Sequence, residues 1–172
     1  MQIKKPSELN NEERSKIVDF FDSHPIGVLA TVDTDGNPHA STIYFSIDSD
    51  MNITFTTKRD THKRENIAHN SSVMLVAYDS ESQTAAQAKG SAVEVTDLVK
   101  AQNIYHGTLR GAKQTSEDNV PPIAKIAAGP YVAYTIKPDN IWISEYGWGD
   151  NFANTMEQAG APNEKLSTQD PA

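Results

Sequence analysis

Cysteine is absent from the 172-residue chain. With it go disulfides, thiolate catalysis, Cys-ligated zinc and iron–sulfur clusters. Long apolar runs are absent too: the longest obvious ones, such as Val73 to Tyr78, are strand-sized and far short of a bilayer span. Lys4 and Lys5 have no apolar stretch behind them, so the N-terminus does not read as a secretory signal. Positive charge is in deficit, with fifteen basic residues against twenty-three acidic ones and a formal net charge of −8. Binding phosphate backbones or anionic lipid needs a surplus of Lys and Arg, so nucleic acid and membrane are poor partners unless one patch is locally basic. These absences predict a cytoplasmic protein with neither partner. What is present suffices for about one domain and a short tail, long enough to bury a sizeable core. At 37% hydrophobic and 22% charged residues the chain is polar but not of disordered composition.

The hydrophobic pattern changes period along the chain. Asn10 followed by Glu13 is close to a capping box, and Ile17, Val18 and Phe21 with Phe20 beside them make one helical face. His24-Pro25 ends that helix. From Ile26 the apolar residues alternate, and Asp33 to Asn37 reads as a hairpin turn. A second strand runs from Pro38 to about Ile47, with Ser41, Ile43 and Phe45 on one face and Ala40, Thr42 and Tyr44 on the other. A third follows from Ile53 to Thr57, then a basic stretch and a helix from about Thr61 to His69. Val73 to Tyr78 alternates little and predicts a strand buried on both faces. Ser80 to Ala86 reads as a mobile loop and Ala88 to Val95 as a fifth strand. Thr96 can cap a helix carrying Leu98, Val99 and Tyr105, and Gly107 to Asn119 is weakly patterned. Pro121-Pro122 opens another short helix. Tyr131 to Ile136, a Lys137-Pro138-Asp139 turn and Ile141 to Tyr146 predict a last hairpin. About seven short strands with helices between them predict a mainly β fold, an antiparallel barrel with peripheral helices. Residues 1–25 form its N-terminal helix, 26–147 the barrel domain and 148–172 a flexible tail.

One cluster stands against the acidic background. Lys58, Arg59, Lys63 and Arg64 place four cations in seven positions, with His62 among them and Asp60 the lone acid inside the run. A charge run is ordinarily a solvated helix end. Here it is the wrong end, since cations at an N-terminus oppose the helix dipole by about 0.3–1 kcal/mol each. A bound anion reverses that sign. Free N–H groups at the helix start, Lys63 and a protonated His62 would hold one phosphate, with hydroxyls from Thr56 and Thr57. On the sequence alone, phosphate site and solvated end stand evenly.

Other motifs fail on inspection. Asp48 to Asn52 begins like a calcium loop, but position six is Ile53 and position twelve is Arg59. There is no G-x-G-x-x-G, no H-E-x-x-H and no G-x-S-x-G. A metal site is therefore not expected. Ser41, Thr42 and Tyr44 could line a flat ligand, though such residues are more often barrel wall. Trp142 in the final strand is more often core than cofactor stack.

Taken in order, the segments Gly27-Val28-Leu29-Ala30-Thr31-Val32, Asp35-Gly36-Asn37-Pro38-His39-Ala40-Ser41 and Ile53-Thr54-Phe55-Thr56-Thr57 resemble a known family. Lys63-Arg64-Glu65-Asn66-Ile67-Ala68, Val73-Met74-Leu75-Val76, Gly90-Ser91-Ala92 and Pro138-Asp139-Asn140-Ile141-Trp142 continue the order. The resemblance is to the FMN-binding split β-barrels of the pyridoxamine 5′-phosphate oxidase-like superfamily. It covers roughly residues 26 to 146.

The resemblance implies a homodimer with FMN in each of two clefts between subunits. The phosphate would lie on Thr56, Thr57, His62 and Lys63, and the ring against Ser41, Thr42, Ile43 and Tyr44. Trp142 would reach the flavin from the partner chain. A glutamine before the fifth strand contacts flavin in relatives, and Gln87 stands nearest but out of register. The chain departs from the true oxidases where their Arg and Lys on the second strand are replaced by Ala40 and Phe45, and where their C-terminal Arg-His-Arg motif is missing. Without those cations a second, vitamin phosphate has no anchor. The resemblance therefore points to the general-stress or uncharacterised branch, and to a flavin-dependent oxidoreductase acting on a small-molecule substrate. No catalytic acid or base is singled out. A non-catalytic flavin sensor or store, a barrel that has lost flavin, and a deazaflavin-dependent reductase remain the alternatives.

Overall fold

The computed structural model describes residues 3–115 and 130–146. The helix expected at Pro121-Pro122 and the tail from residue 148 lie outside the described residues. The elements are α1 (Asn11–Ser23), β1 (Ile26–Val32), β2 (Pro38–Ile47), β3 (Ile53–Lys58), α2 (His62–His69), β4 (Ser72–Asp79), β5 (Thr84–Glu94), α3 (Leu98–Thr115) and β6 (Tyr131–Glu145). The strands close an antiparallel barrel in the order β1-β2-β3-β6-β5-β4. This is the expected split barrel, with six strands among the described residues in place of about seven.

Alternation along each strand fills the barrel. Leu29, Phe45, Phe55, Leu75, Ile136 and Ile141 are fully buried inside it, each side chain contributing about 1.5–3 kcal/mol of transfer free energy. Phe55 and Tyr134, paired across β3 and β6, stack at 5.3 Å. Helix α1 closes one end. Its capping box forms as expected, the Glu13 N–H donating to Asn10 Oδ1 at 2.9 Å and the Asn10 N–H to the Glu13 carboxylate at 3.0 Å. Its Phe21 meets the Phe45 ring edge-on at 5.6 Å. Helix α2 closes the other end, where buried Asn66 donates to Thr31 Oγ1 at 3.0 Å.

The structure corrects four local expectations. The final hairpin is one continuous strand: β5 and β6 pair from Thr84↔Glu145 to Glu94↔Tyr134, with a register shift at Lys89/Gly90 where Gly90 faces Pro138. Pro138 lacks an N–H and sits at this bulge, so the segment read as a turn is absorbed into the ladder. A side chain on Gly90 would meet the Lys137 carbonyl oxygen at 2.1 Å, so the bulge requires glycine. Second, β5 begins at Thr84, and the loop read as Ser80 to Ala86 is a turn closed by Asp79, which accepts the N–H groups of Glu81 and Ser82 at 3.1 and 3.0 Å. Third, β4 is covered on one face only. Val73, Leu75 and Ala77 are buried, whereas Met74 and Val76 are half-buried and Tyr78 is 56% exposed. Fourth, α3 continues through the weakly patterned stretch and is capped by Asp97, not Thr96: the Lys100 N–H donates to Asp97 Oδ1 at 2.8 Å. Gly107 and Gly111 lie on its packed face against Ser46 and Pro25, so close approach replaces the apolar period a helix usually shows.

One irregularity positions the site. β2 pairs with β1 along Pro38–Tyr44 but with β3 only over Phe45–Ile47. The first seven residues of β2 diverge from β3, and the sheet splits there. The Phe45 N–H donates to the Pro25 carbonyl. The alternation of an antiparallel ladder therefore turns the main-chain groups of Ala40, Thr42 and Tyr44 away from β1, toward the split.

Candidate functional site

At one mouth of the split stand the end of β3 and the start of α2. Thr61 occupies the N-cap of α2 but makes no capping bond; its hydroxyl donates instead to the Lys58 carbonyl at 3.0 Å and lies 3.2 Å from Thr57 Oγ1. The Thr61 carbonyl accepts the N–H groups of Arg64 and Glu65, and the N–H groups of His62 and Lys63 precede them in the uncapped first turn. Lys63 is half-buried, and burial lowers its pKa from the ordinary lysine value. Among the described residues no carboxylate pairs with Lys58, Arg59 or Lys63. A desolvated, unpaired ammonium beside free helix N–H groups is an arrangement that an anion stabilises.

The expected site residues divide between two faces. Thr57 is buried and joined to Thr61, at the α2 end. Thr56 points the other way, under α3, where its hydroxyl meets Thr108 Oγ1 at 3.4 Å. His62 is largely exposed, 3.6 Å from the Glu65 carboxylate. On β2, the Ile43 side chain is part of the barrel core and half-buried Ser41 shares its face, while exposed Thr42 and half-buried Tyr44 lie on the outer face.

That outer face carries a continuous row. Thr42 pairs with Val28, Val28 with Val76, Val76 with Gln87, and Gln87 with Trp142. Val28 is 45% exposed, whereas Trp142 is 7% exposed and its indole Nε1 is buried without a hydrogen-bond partner. A buried donor left unpaired costs about 1–3 kcal/mol, so Nε1 fits an acceptor supplied by a ligand. Gln87, which the resemblance places out of register, lies inside a β5 that starts at Thr84 and pairs there with Trp142. Thr61 was also missed. Its hydroxyl position one residue before the helix was the available signal.

This arrangement of a split sheet, an uncapped helix start and an outer row ending in tryptophan coincides with a family match. Residues 14–143 match the pyridoxamine 5′-phosphate oxidase family. The chain belongs to that family. Within the split-barrel superfamily it stands in a branch apart from the true vitamin oxidases, a superfamily whose members generally bind a flavin. General stress protein 26 of Bacillus subtilis (strain 168) is 39% identical over 69 residues, covering 40% of this chain and 48% of that protein. The chain thus spans about half the length of the curated relative it matches. The structure of general stress protein 26 from Bacillus anthracis str. Sterne is 22% identical, covers 77% of this chain and 91% of its own, and superposes with a TM-score of 0.55. An F420 reductase structure is 21% identical, covers 76% and 94%, and gives a TM-score of 0.57. Both structural likenesses speak to the fold. No helix among the described residues is long and apolar enough to cross a membrane.

Proposed function

We propose that this chain is an FMN-dependent oxidoreductase, working as a homodimer with flavin between the subunits. The observation that carries the reading is the half-buried, unpaired Lys63 at the uncapped start of α2, beside the split in the sheet. Lys63, His62, Thr57 and Thr61 would hold the phosphate, while the main chain of β2 at Thr42 and Tyr44 and the Thr42 side chain would meet the ring. The unpaired Trp142 Nε1 would supply a donor. When bound, FMN supplies hydride and electron transfer between a reduced donor and a small acceptor; the protein binds, orients and shields it. The exposed apolar residues of the outer face, Val28 and Tyr78 among them, support a second copy as the cover of that face. The cytoplasm is the proposed location.

The test is titration of purified protein with FMN, riboflavin and a deazaflavin, followed by anaerobic mixing of the loaded protein with NADPH. FMN bound more tightly than riboflavin, and reduced within seconds, supports the reading. Preferred deazaflavin binding would favour the reductase alternative, for which the F420 reductase likeness and exposed Arg59 speak. Tight FMN without reduction by any donor would leave a sensor or store. Failure to bind any flavin would overturn the proposal.

A further inference from the structure

The start of α2 has a neighbour on the opposite wall. The turn between β1 and β2 is organised by Asp33, whose carboxylate accepts the N–H groups of Asp35 and Asn37 at 2.9 and 2.8 Å. The same carboxylate lies 2.9 Å from His39 Nε2. His39 in turn stacks its ring on that of His62 across the gap, with centroids 6.4 Å apart and planes 28° from parallel. His62 immediately precedes Lys63. Two chain segments that share no sheet ladder at this point, the β1–β2 turn and the α2 start, thus bring two imidazoles together at the predicted phosphate end.

We infer that His39, oriented by Asp33, is a further phosphate-binding residue, completing with His62 and Lys63 a cradle for a phosphate monoester. The inference rests on the flavin reading above and names a residue beyond it. Asp33 fixes the tautomer: with Nε2–H donating to the carboxylate, Nδ1 is the nitrogen that gains or loses the second proton. Asp33 is held ionised, its pKa far below the ordinary carboxylate range, first by the His39 bond and then by the Asn37 N–H. Left alone, that carboxylate would repel an anion at the α2 start. Protonated His39 neutralises it and turns an acceptor into a donor. The charged groups beside the imidazole pair are Asp33 from the turn and Glu65 from α2, and Lys63 follows His62 in the chain. Two stacked imidazolium rings repel each other, and a phosphate dianion beside them relieves that repulsion. Phosphate binding and proton uptake are therefore linked.

The experiment compares FMN with riboflavin, which share the ring and differ by the phosphate, using full-length wild type and His39→Gln at pH 8.5 and 6.5. Expected for wild type is an FMN-over-riboflavin preference that rises at least about threefold at the lower pH, even though the phosphate, with a second pKa near ~6, loses part of its charge there. His39→Gln should reduce that rise to the part His62 alone supplies, while keeping a preference for FMN at both pH values through Lys63. His39 is exposed on one side, so the variant should fold, and an unchanged melting temperature checks it. An equal pH response in wild type and His39→Gln would overturn the inference and leave the phosphate site standing. No FMN preference in wild type at either pH would overturn the phosphate site, and this inference with it.

Discussion

Lys63 offers a test in which folding and binding move in opposite directions. Lys63→Met keeps most of the aliphatic stem and removes the ammonium. A charge-assisted hydrogen bond contributes about 1.5–3 kcal/mol, or roughly 10- to 150-fold in Kd. The ammonium is already half-desolvated in the free protein, so little further desolvation opposes binding and the upper half of that range is expected. Binding should not vanish, because the first-turn N–H groups of α2 remain. Stability should respond the other way. Burial lowers the Lys63 pKa from 10.5, so between the two values the unfolded chain holds more protons than the folded one. The charge therefore weighs against the folded state below the lowered pKa, and the penalty fades as pH rises through it. Flavin-free Lys63→Met should melt at or above the wild-type temperature at pH 7, with the gain shrinking toward about pH 10. Fluorescence titration with FMN and thermal melts of the flavin-free protein measure the two effects. A variant that loses melting temperature together with affinity would show that Lys63 serves the fold, and the anion argument would fall.

Four further substitutions follow from the geometry. Gly90→Ala drives a methyl group against the Lys137 carbonyl at 2.1 Å and should cost more than about 3 kcal/mol by urea unfolding; a loss under about 1 kcal/mol would contradict the bulge. Thr56→Val should leave FMN affinity within about twofold, because the Thr56 hydroxyl faces Thr108 under α3, whereas Thr57→Val should weaken it about fivefold, near 1 kcal/mol. Equal effects on titration would refute the assignment of the two threonines to opposite faces. Val28→Lys introduces charge at the centre of the outer row, where Val28 is 45% exposed, and should shift the protein to monomer in sedimentation with little change in melting temperature; an unaltered oligomer would place the interface elsewhere.

Much of this protein is local enough to be determined by sequence. Alternation puts Ile43 and Phe45 on one face of β2, and Asn10 with Glu13 sets the start of α1, because strand parity and capping depend on residues a few positions apart; on β1 the same parity misleads, since the apolar Val28 is 45% exposed while Leu29 and Thr31 are buried. The odd cation cluster at the start of α2 is legible for the same reason, charge and helix polarity both being sequence-local, though on the sequence alone a phosphate site and a solvated end stand evenly. Where neighbours distant in the chain decide, the sequence is silent. Pro138 reads as a turn until β5 supplies the bulge that accommodates it. Gly107 and Gly111 hide a helix whose packing partners, Ser46 and Pro25, lie some sixty or more residues earlier. Thr56 and Thr57 are adjacent and chemically alike, yet α3 takes one and Thr61 the other. The split between β2 and β3, the row from Thr42 to Trp142, and the meeting of His39 with His62 all arise from barrel closure. Closure fixes which strands run side by side and how far each ladder extends, and that long-range register is set by the packing of the whole core.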